Sequence, residues 1–395
     1  MGDPGTGSGG INPSEKARRL ENRSPSASWQ PSGPLWDPPK SILIVMLSAV
    51  GDAVQVLPLV TALRRTFPST HISWVLQPGP LSLVRGHPAV DEFVLFQRGA
   101  DGRTLRSLAS AIKGIHSATG SLRKLAARQP GGRFDLLLNL QVYLKAGLLT
   151  ALVPAEIKLG FDRLRARDLN GFFTTHRIPP HPKRFGHIQD QYFEFLQHVG
   201  VNPEPLEYGL CLTEEERNDQ ERFFSSFDHR ACALVLGSSD PRKDWDPVGF
   251  AEVASRLQKE YGLQPMLVGG TSPQEEERAH HVLENANGKV VDARGGGLRR
   301  LLWLLAGSAL VISPDTGPLH MARAMEVPVV GLYGFTNPGR SGPYRRYTEL
   351  VVDGYARFPG EEYEVNMERR PGGMGRITPD GVMEKVGLAL RAGNK

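Results

Sequence analysis

The chain has 395 residues, room for two domains that each bury a core, and its 40% hydrophobic and 23% charged content is that of a folded protein. No apolar run is long enough for a membrane-spanning helix, and two cysteines, Cys211 and Cys232, supply neither a disulfide framework nor a zinc site, in keeping with a reducing cytoplasm. The net charge of +5 is unevenly placed: between Gln97 and Phe134 eight basic residues face Asp101 alone, an excess of +7 that points to one anionic partner at one place.

Residues 1–39 are rich in Gly, Pro and Ser and have no apolar h-region, so they read as a disordered leader and not as a signal peptide. From Ser41 short apolar runs alternate with amphipathic stretches, the pattern of a parallel sheet covered by helices. Strands are predicted at Ile42–Leu47, Ile72–Leu76, Glu92–Phe96 and Asp135–Leu140. Helices fit Ala53–Thr66, where Val56, Leu59, Val60 and Leu63 share a face, and His187–Val199. In the basic segment Leu105, Leu108, Ile112 and Ile115 fall on one helical face, with Arg106 and Lys113 off it. That pattern fits an amphipathic helix at a lipid–water boundary or a solvated basic helix packed on the sheet.

A Pro-containing connection at Gly200–Tyr208 precedes a second series of the same kind. Its predicted strands are Cys232–Leu236, Met266–Val268, Ala309–Ile312 and Val327–Tyr333. Its helices are Val248–Tyr261, Pro273–Leu283, Leu298–Ala306 and one starting at Pro318, with a last helix at Pro379–Ala392. The fold class is α/β, with two Rossmann-like domains: 40–210, carrying the basic insert 97–133, and 211–378. The terminal helix, 379–395, is placed to cross back to the first domain. Strand order is not visible in the periodicity.

Three strand-to-helix turns carry the chemistry, because ligands of open α/β sheets sit at the carboxyl ends of strands. In Ser48-Ala49-Val50-Gly51-Asp52, Gly51 permits a close backbone approach. Asp52 is either a general base on an acceptor hydroxyl or a helix N-cap. No GxGxxG is present, which disfavours a dinucleotide oxidoreductase. The second turn, Gly237–Trp245, offers Ser238 and Ser239 and the charge of Lys243 to a diphosphate, with Trp245 beside it; the plain alternative is a solvated loop capped by Asp246. In the third, Asp315 and Thr316 can orient hydroxyls, and Gly317 and Pro318 open a helix whose N–H groups favour an anion. His320 follows one turn in. The turn-rich loop Tyr333–Arg340 lies at the same edge, so the second domain is suited to a nucleotide diphosphate.

Taken together, the Gly51-Asp52 turn with Pro58 beyond it, the Ser238-Ser239 and Lys243-x-Trp245 segment, and Asp315-Thr316-Gly317 with His320 resemble the heptosyltransferases of glycosyltransferase family 9. The resemblance runs from about Ser41 to Leu390 and implies the GT-B fold, two Rossmann-like domains facing a central cleft. It implies that Asp52 is the base, that Ser239 and Lys243 contact the donor's phosphates, and that Asp315, Thr316, Gly317, Pro318 and His320 form the donor loop beside Ser238. A donor-side glutamate is implied after Gly269-Gly270, where Glu275 is the candidate. The chain departs from the family in having no cysteine across Arg369–Arg376. With two cysteines in all, it also departs from the iron-containing, protein-modifying branch.

The activity so implied is inverting transfer of a heptose from an ADP-heptose-like nucleotide sugar, with no metal or other cofactor, to an anionic acceptor such as the lipopolysaccharide inner core. Gly51, Arg98, Arg103, Arg106, Lys113, Arg123 and Lys124 are then the acceptor-side residues. The protein is expected in the cytoplasm, in peripheral contact with the inner face of the inner membrane. A small-molecule acceptor is the enzymatic alternative. A nucleotide- or nucleic-acid-binding module is the other, but residues 98–133 lack the aromatics that stack bases, so no nucleic-acid partner is expected.

Overall fold

The run Ser41–Val45 is buried at every position, as a strand covered on both faces must be, and it lies inside the first sheet. The structure, a computed structural model, describes residues 37–97, 105–180 and 185–392. The leader up to residue 36, Arg98 and Arg103, and the side chain of Arg106 lie outside the described residues.

The first lobe runs β1 (Ser41–Val45), α1 (Val50–Thr66), β2 (His71–Leu76), α2 (Pro78–Val84), β3 (Glu92–Leu95), α3 (Leu105–Ala127) and β4 (Phe134–Asn139). It continues with α4 (Leu144–Leu152), β5 (Ala155–Gly160), β6 (His176–Arg177) and α5 (Ile188–His198). The second lobe runs α6 (Glu214–Phe224), β7 (Ala231–Val235), α7 (Pro247–Tyr261), β8 (Gln264–Val268), α8 (Pro273–Asn285), β9 (Val291–Asp292) and α9 (Gly297–Ala306). It ends with β10 (Leu310–Pro314), α10 (Gly317–Ala324), β11 (Val329–Tyr333), α11 (Pro338–Ser341), β12 (Val351–Asp353) and α12 (Pro379–Ala392).

All strand pairs in both sheets are parallel, in registers such as Ile42 with Leu136 and Leu310 with Cys232. The orders are β3-β2-β1-β4-β5-β6 and β12-β11-β10-β7-β8-β9. Counted from each lobe's own first strand, both are the doubly wound order 3-2-1-4-5-6. The winding reverses between β1 and β4 and between β7 and β10, and a crevice opens at each reversal. The turns bearing Asp52, Ser239 and Asp315 follow β1, β7 and β10, so topology delivers them to those crevices.

Two features differ from the sequence reading, and at α3 one of its two alternatives holds over the stretch whose side chains are described. Helix α12 does not cross back: it packs on α7, β11 and β12, with Val382, Met383 and Val386 buried in the second lobe's core. Its apolar stripe is satisfied there, and Asp380 pairs with Arg256 of α7 at 2.6 Å. Trp245 is not beside a phosphate site: it is buried, stacks edge-on against Phe250, and donates its indole N–H to the Ile377 carbonyl at 3.1 Å. From Lys113 onward α3 is the packed basic helix, because Ala118, Leu122, Leu125 and Ala126 are buried with Leu43, Val45 and Leu137. Its apolar side is not available to lipid over that stretch, while the side chains of Leu105, Leu108 and Ile112, on which the lipid alternative rests, lie outside the described residues.

The lobes meet where α1 lies against α10. Glycines make this approach feasible: a Cβ on Gly51 would stand 2.9 Å from His320 Cδ2, and one on Gly317 would stand 3.2 Å from Val50 Cγ1. A side chain at Gly51 should therefore push the facing site residues apart without unfolding either sheet. Gly51→Val is expected to keep a native far-UV circular dichroism spectrum and lose roughly 10–100-fold in turnover, the scale of a misplacement of about 1 Å. Turnover equal to the parent's would show that the close approach is not needed.

Candidate active site

Asp52 is the third residue of α1, not its cap, and its Oδ2 accepts the Ala49 N–H at 3.0 Å. One lone pair is spent on an otherwise unpaired helix N–H; the remainder of the half-buried carboxylate faces the cleft. Desolvation by the surrounding walls raises its pKa, and nearby Asp315 adds to that. The Ala49 N–H, Arg340 and Lys243 act in the opposite direction without cancelling the rise. Asp52 is thus moved toward the range useful for a base near neutral pH.

On one side of Asp52 lies a cavity of about 140 Å³, bordered by Tyr143, Arg167, Ile188, Tyr192 and Arg340. Arg167 reaches across the cleft to Met367 Sδ at 2.9 Å. Arg340 lies over the Phe185 ring, 5.8 Å from its centroid, and its Nη1 is buried without a hydrogen-bond partner. Burial lowers its pKa, but a guanidinium stays charged at any ordinary pH. A desolvated cation with a spare donor beside a candidate base is suited to an anionic ligand.

On the other side is a cavity of about 210 Å³, where Asp52, Gln55 and Arg340 face Ser239, Lys243, Asp315 and Thr316. Lys243 Nζ donates to Asp315 Oδ2 at 2.8 Å and to the Asp315 carbonyl at 3.1 Å, and Thr336 Oγ1 donates to Oδ2 at 2.7 Å. Burial alone would raise the pKa of Asp315, but the charge of Lys243 and the hydrogen bonds from Lys243 and Thr336 outweigh it and hold the group ionised. His320 is buried, and desolvation depresses its pKa to about 4 against the pull of Asp315, so near neutral pH the imidazole is uncharged. Its Nε2 lies 3.2 Å from Gln55 Nε2, across the lobe boundary. Thr316 holds the N-cap position of α10 but makes no side-chain cap bond. The first turn of α10, Gly317 included, borders the cavity and is suited to an anion.

A family model described as glycosyltransferase family 9 (heptosyltransferase) matches residues 122–368. The chain belongs to that family. It is 27% identical over 322 residues, 79% of this chain and 84% of the relative, to the lipopolysaccharide core heptosyltransferase OpsX of Haemophilus influenzae. It is 28% identical to lipopolysaccharide heptosyltransferase 1 of Pseudomonas aeruginosa, over 77% of this chain and 81% of that one. Among solved structures, a family 9 glycosyl transferase from Veillonella parvula superimposes with a TM-score of 0.72 at 25% identity, covering 89% of this chain and 97% of that one. The E. coli heptosyltransferase WaaC with ADP gives a TM-score of 0.65 at 22% identity, covering 88% and 99%. This glycosyltransferase therefore has the GT-B fold, its two doubly wound lobes facing one cleft.

In this family 9 enzyme the structure does not bring every expected residue to the cleft. The Ser238 hydroxyl is taken up locally, donating to the Asp240 carbonyl at 2.8 Å and accepting the Asp240 N–H at 3.2 Å. Glu275 caps α8, accepting from Gly270 N at 2.9 Å and from Ser272 Oγ at 2.8 Å, beside Gly237 at the end of β7. Pro318 shapes the first turn of α10. Lys113, Arg123 and Lys124 stand exposed on α3 and border neither cleft cavity; Arg123 donates to the Leu152 carbonyl. Gln55, Arg167 and Tyr192 are in the cleft without having been singled out from sequence, and Arg340, there named only as the end of the loop Tyr333–Arg340, borders both cavities. Gln55 carried a usable signal, three residues past Asp52 on the same helical face. Among the described residues no cluster of three or more His, Cys, Asp or Glu side chains is placed to hold a metal ion, and no helix is long and apolar enough to cross a membrane.

The depressed pKa of His320 ties stability to pH. An unfolded histidine titrates near 6.5 and this one near 4 when folded. Acidification through that window adds a proton to the unfolded chain first, so the stabilisation present above about pH 6.5 is lost as pH falls toward 4. The full difference is of order 3 kcal/mol. His320→Gln should flatten the dependence of melting temperature on pH between about 7 and 4; some slope remains from His87, His187 and His198, which are also depressed by burial. An unchanged slope would show that His320 titrates normally.

Proposed function

We propose that this enzyme transfers a heptose, with inversion, from an ADP-heptose-like donor to an anionic acceptor saccharide of the lipopolysaccharide inner core. The observation that carries the reading is a single cavity in which Asp52 of one lobe faces Lys243, Asp315 and the start of α10 from the other. A base for an acceptor hydroxyl and a cradle for a leaving diphosphate are then within one bound complex. The curated relatives named as lipopolysaccharide heptosyltransferases, and the solved heptosyltransferase with ADP, support that choice of donor and acceptor.

In the proposed step Asp52 takes the proton of the acceptor hydroxyl as its oxygen bonds to the anomeric carbon. The bond from that carbon to the β-phosphate oxygen breaks with its electron pair, and ADP departs. Lys243, Ser239, Thr316 and the N–H groups at the start of α10 stabilise the charge that develops, the term expected to dominate. No metal or other cofactor takes part in this reading. Asp315 holds Lys243, neutral His320 fills the wall without adding charge, and Glu275 and Ser238 shape the donor side through the turns they brace. Arg167 and Arg340 make the direct acceptor contacts. The cations of α3, with Arg98, Arg103 and Arg106, add a longer-range attraction for an anionic substrate. The enzyme works in the cytoplasm, at the inner face of the membrane that holds its acceptor.

Asp52→Asn keeps an oxygen for the Ala49 N–H and so separates the base from the helix brace. Melting temperature and donor affinity should stay near those of the parent, while kcat falls about 10²–10⁴-fold. Turnover within roughly threefold of the parent, far short of that range, would leave Asp52 as a structural brace only. Arg340 has its own signature. Because its charge lowers the Asp52 pKa, Arg340→Gln should move the acidic limb of the kcat/KM profile to higher pH. A limb that stays in place removes Arg340 from the electrostatics of the base.

A further inference from the structure

Among the described residues twelve large apolar side chains stand exposed, and five of them fall in two segments that pack on each other. One segment is Tyr143 and Leu144, 52% and 40% exposed, at the start of α4; the other holds Leu164, Leu169 and Phe172, at 63%, 66% and 80%. Of the remaining seven, Met367 lies beside Arg167 and borders the same cavity as Tyr143 and Leu164, and the other six are spread along the chain, as single surface hydrophobics ordinarily are. Such a concentration marks an interaction surface more than chance exposure.

The protrusion is built, not loose. At its root Arg165 is buried and pairs with Asp162 and with Glu194, the latter at 2.6 Å. Below its tip Asn170 is buried, donating to the carbonyls of Gln141 at 3.1 Å and Tyr143 at 2.8 Å and accepting from Asn139 Nδ2 at 2.9 Å. The Arg167 N–H is tied to the Val142 carbonyl at 3.0 Å. Asp168 and Leu169 both sit at positive φ, +49° and +64°, a conformation that costs free energy for residues with side chains. The inward residues thus satisfy the backbone while Leu169 and Phe172 remain in solvent.

Charge and position name the partner. Lys145, Arg163 and Arg167 are exposed around the apolar tip against Asp168 alone, and Tyr143, Leu164 and Arg167 also border the cavity next to Asp52. We propose that the Asp162–Phe173 segment, with Tyr143 and Leu144 beside it, docks on an anionic lipid bilayer at the mouth of the acceptor cavity. Apolar side chains enter the headgroup boundary while basic ones meet lipid phosphates. A fluid boundary accepts a small protruding tip, whereas a stable protein interface takes about 20–30 residues a side, far more than this patch offers. The bilayer as partner rests on the proposed glycolipid acceptor.

The test is co-sedimentation of the full chain with vesicles of phosphatidylethanolamine and phosphatidylglycerol, and with phosphatidylcholine vesicles, at physiological salt. The parent should bind the anionic vesicles and bind phosphatidylcholine weakly. The double variant Leu169→Ser with Phe172→Ser should bind the anionic vesicles about tenfold or more weakly. Its melting temperature should be unchanged, and so should kcat and KM on a lipid-free acceptor saccharide, since neither residue borders the cleft. A single Phe172→Trp variant should show a blue-shifted emission on adding anionic vesicles. A parent that ignores anionic vesicles, or a double variant that binds them as the parent does, overturns the proposal. So does self-association of the parent that the double variant abolishes, which would assign the patch to a second copy. Vesicle binding that depends on these two residues, in a protein that transfers no heptose, would sink the transfer reading and leave the docking surface standing.

Discussion

The proposed base on one lobe and the proposed diphosphate cradle on the other form one site only where the N-termini of α1 and α10 touch. That contact is set by sterics: a Cβ on Gly51 would clash with His320, and one on Gly317 would press on Val50. Two glycines carrying no chemistry therefore fix the separation between the groups proposed to carry it. The rest of the cleft is arranged around this approach. Gln55 and His320 meet across the same boundary, and Arg340 borders the cavities on both sides of Asp52.

Around that contact, charge is distributed by burial. Asp52 and Asp315 are both carboxylates in a crowded cleft, yet their pKa values move in opposite directions. Asp315 has Lys243 and Thr336 against it and is held ionised; Asp52 has one backbone N–H and more distant cations, and desolvation prevails. His320 is kept neutral between them, so the wall adds no cation that would drive Asp52 back down. Pairs of titratable groups pushed apart by their surroundings are a recurring mark of acid–base sites.

Much of this was legible from sequence because parallel strands buried on both faces write themselves as unbroken apolar runs, and the functional turns follow those runs directly. What escaped was short, polar or edge-placed. Strand β5 alternates with Glu156 and Lys158, β6 and β9 have two residues each, and α6 has no buried residue. Yet α6 carries a capping box, Thr213 with Glu216, that could have found it. At the site, Asp52, Ser239, Lys243, Asp315, Thr316 and Gly317 line one cavity. Glu275 and Ser238 turn their oxygens to local braces, since a turn offers N–H groups closer than any ligand. Arg167 and Tyr192 were hidden because their place depends on how the lobes face, which no local pattern encodes; Arg340 was seen only as the end of the loop Tyr333–Arg340. The basic excess on α3 was visible, but not that its helix packs outside the cleft.

The bond between Lys243 and Asp315 bears on the end of the proposed catalytic cycle. A lysine reserved for a diphosphate would leave a desolvated charge behind each time ADP departed, and that vacancy would hold the product back. Here a carboxylate already lies 2.8 Å from the ammonium group, so the cation has a resting partner whenever the nucleotide is gone. Incoming phosphates must compete with that partner, which tempers affinity, and outgoing ones are helped by it. In enzymes of this kind, where release often sets the pace, a modest grip on the spent nucleotide favours turnover over tight occupancy.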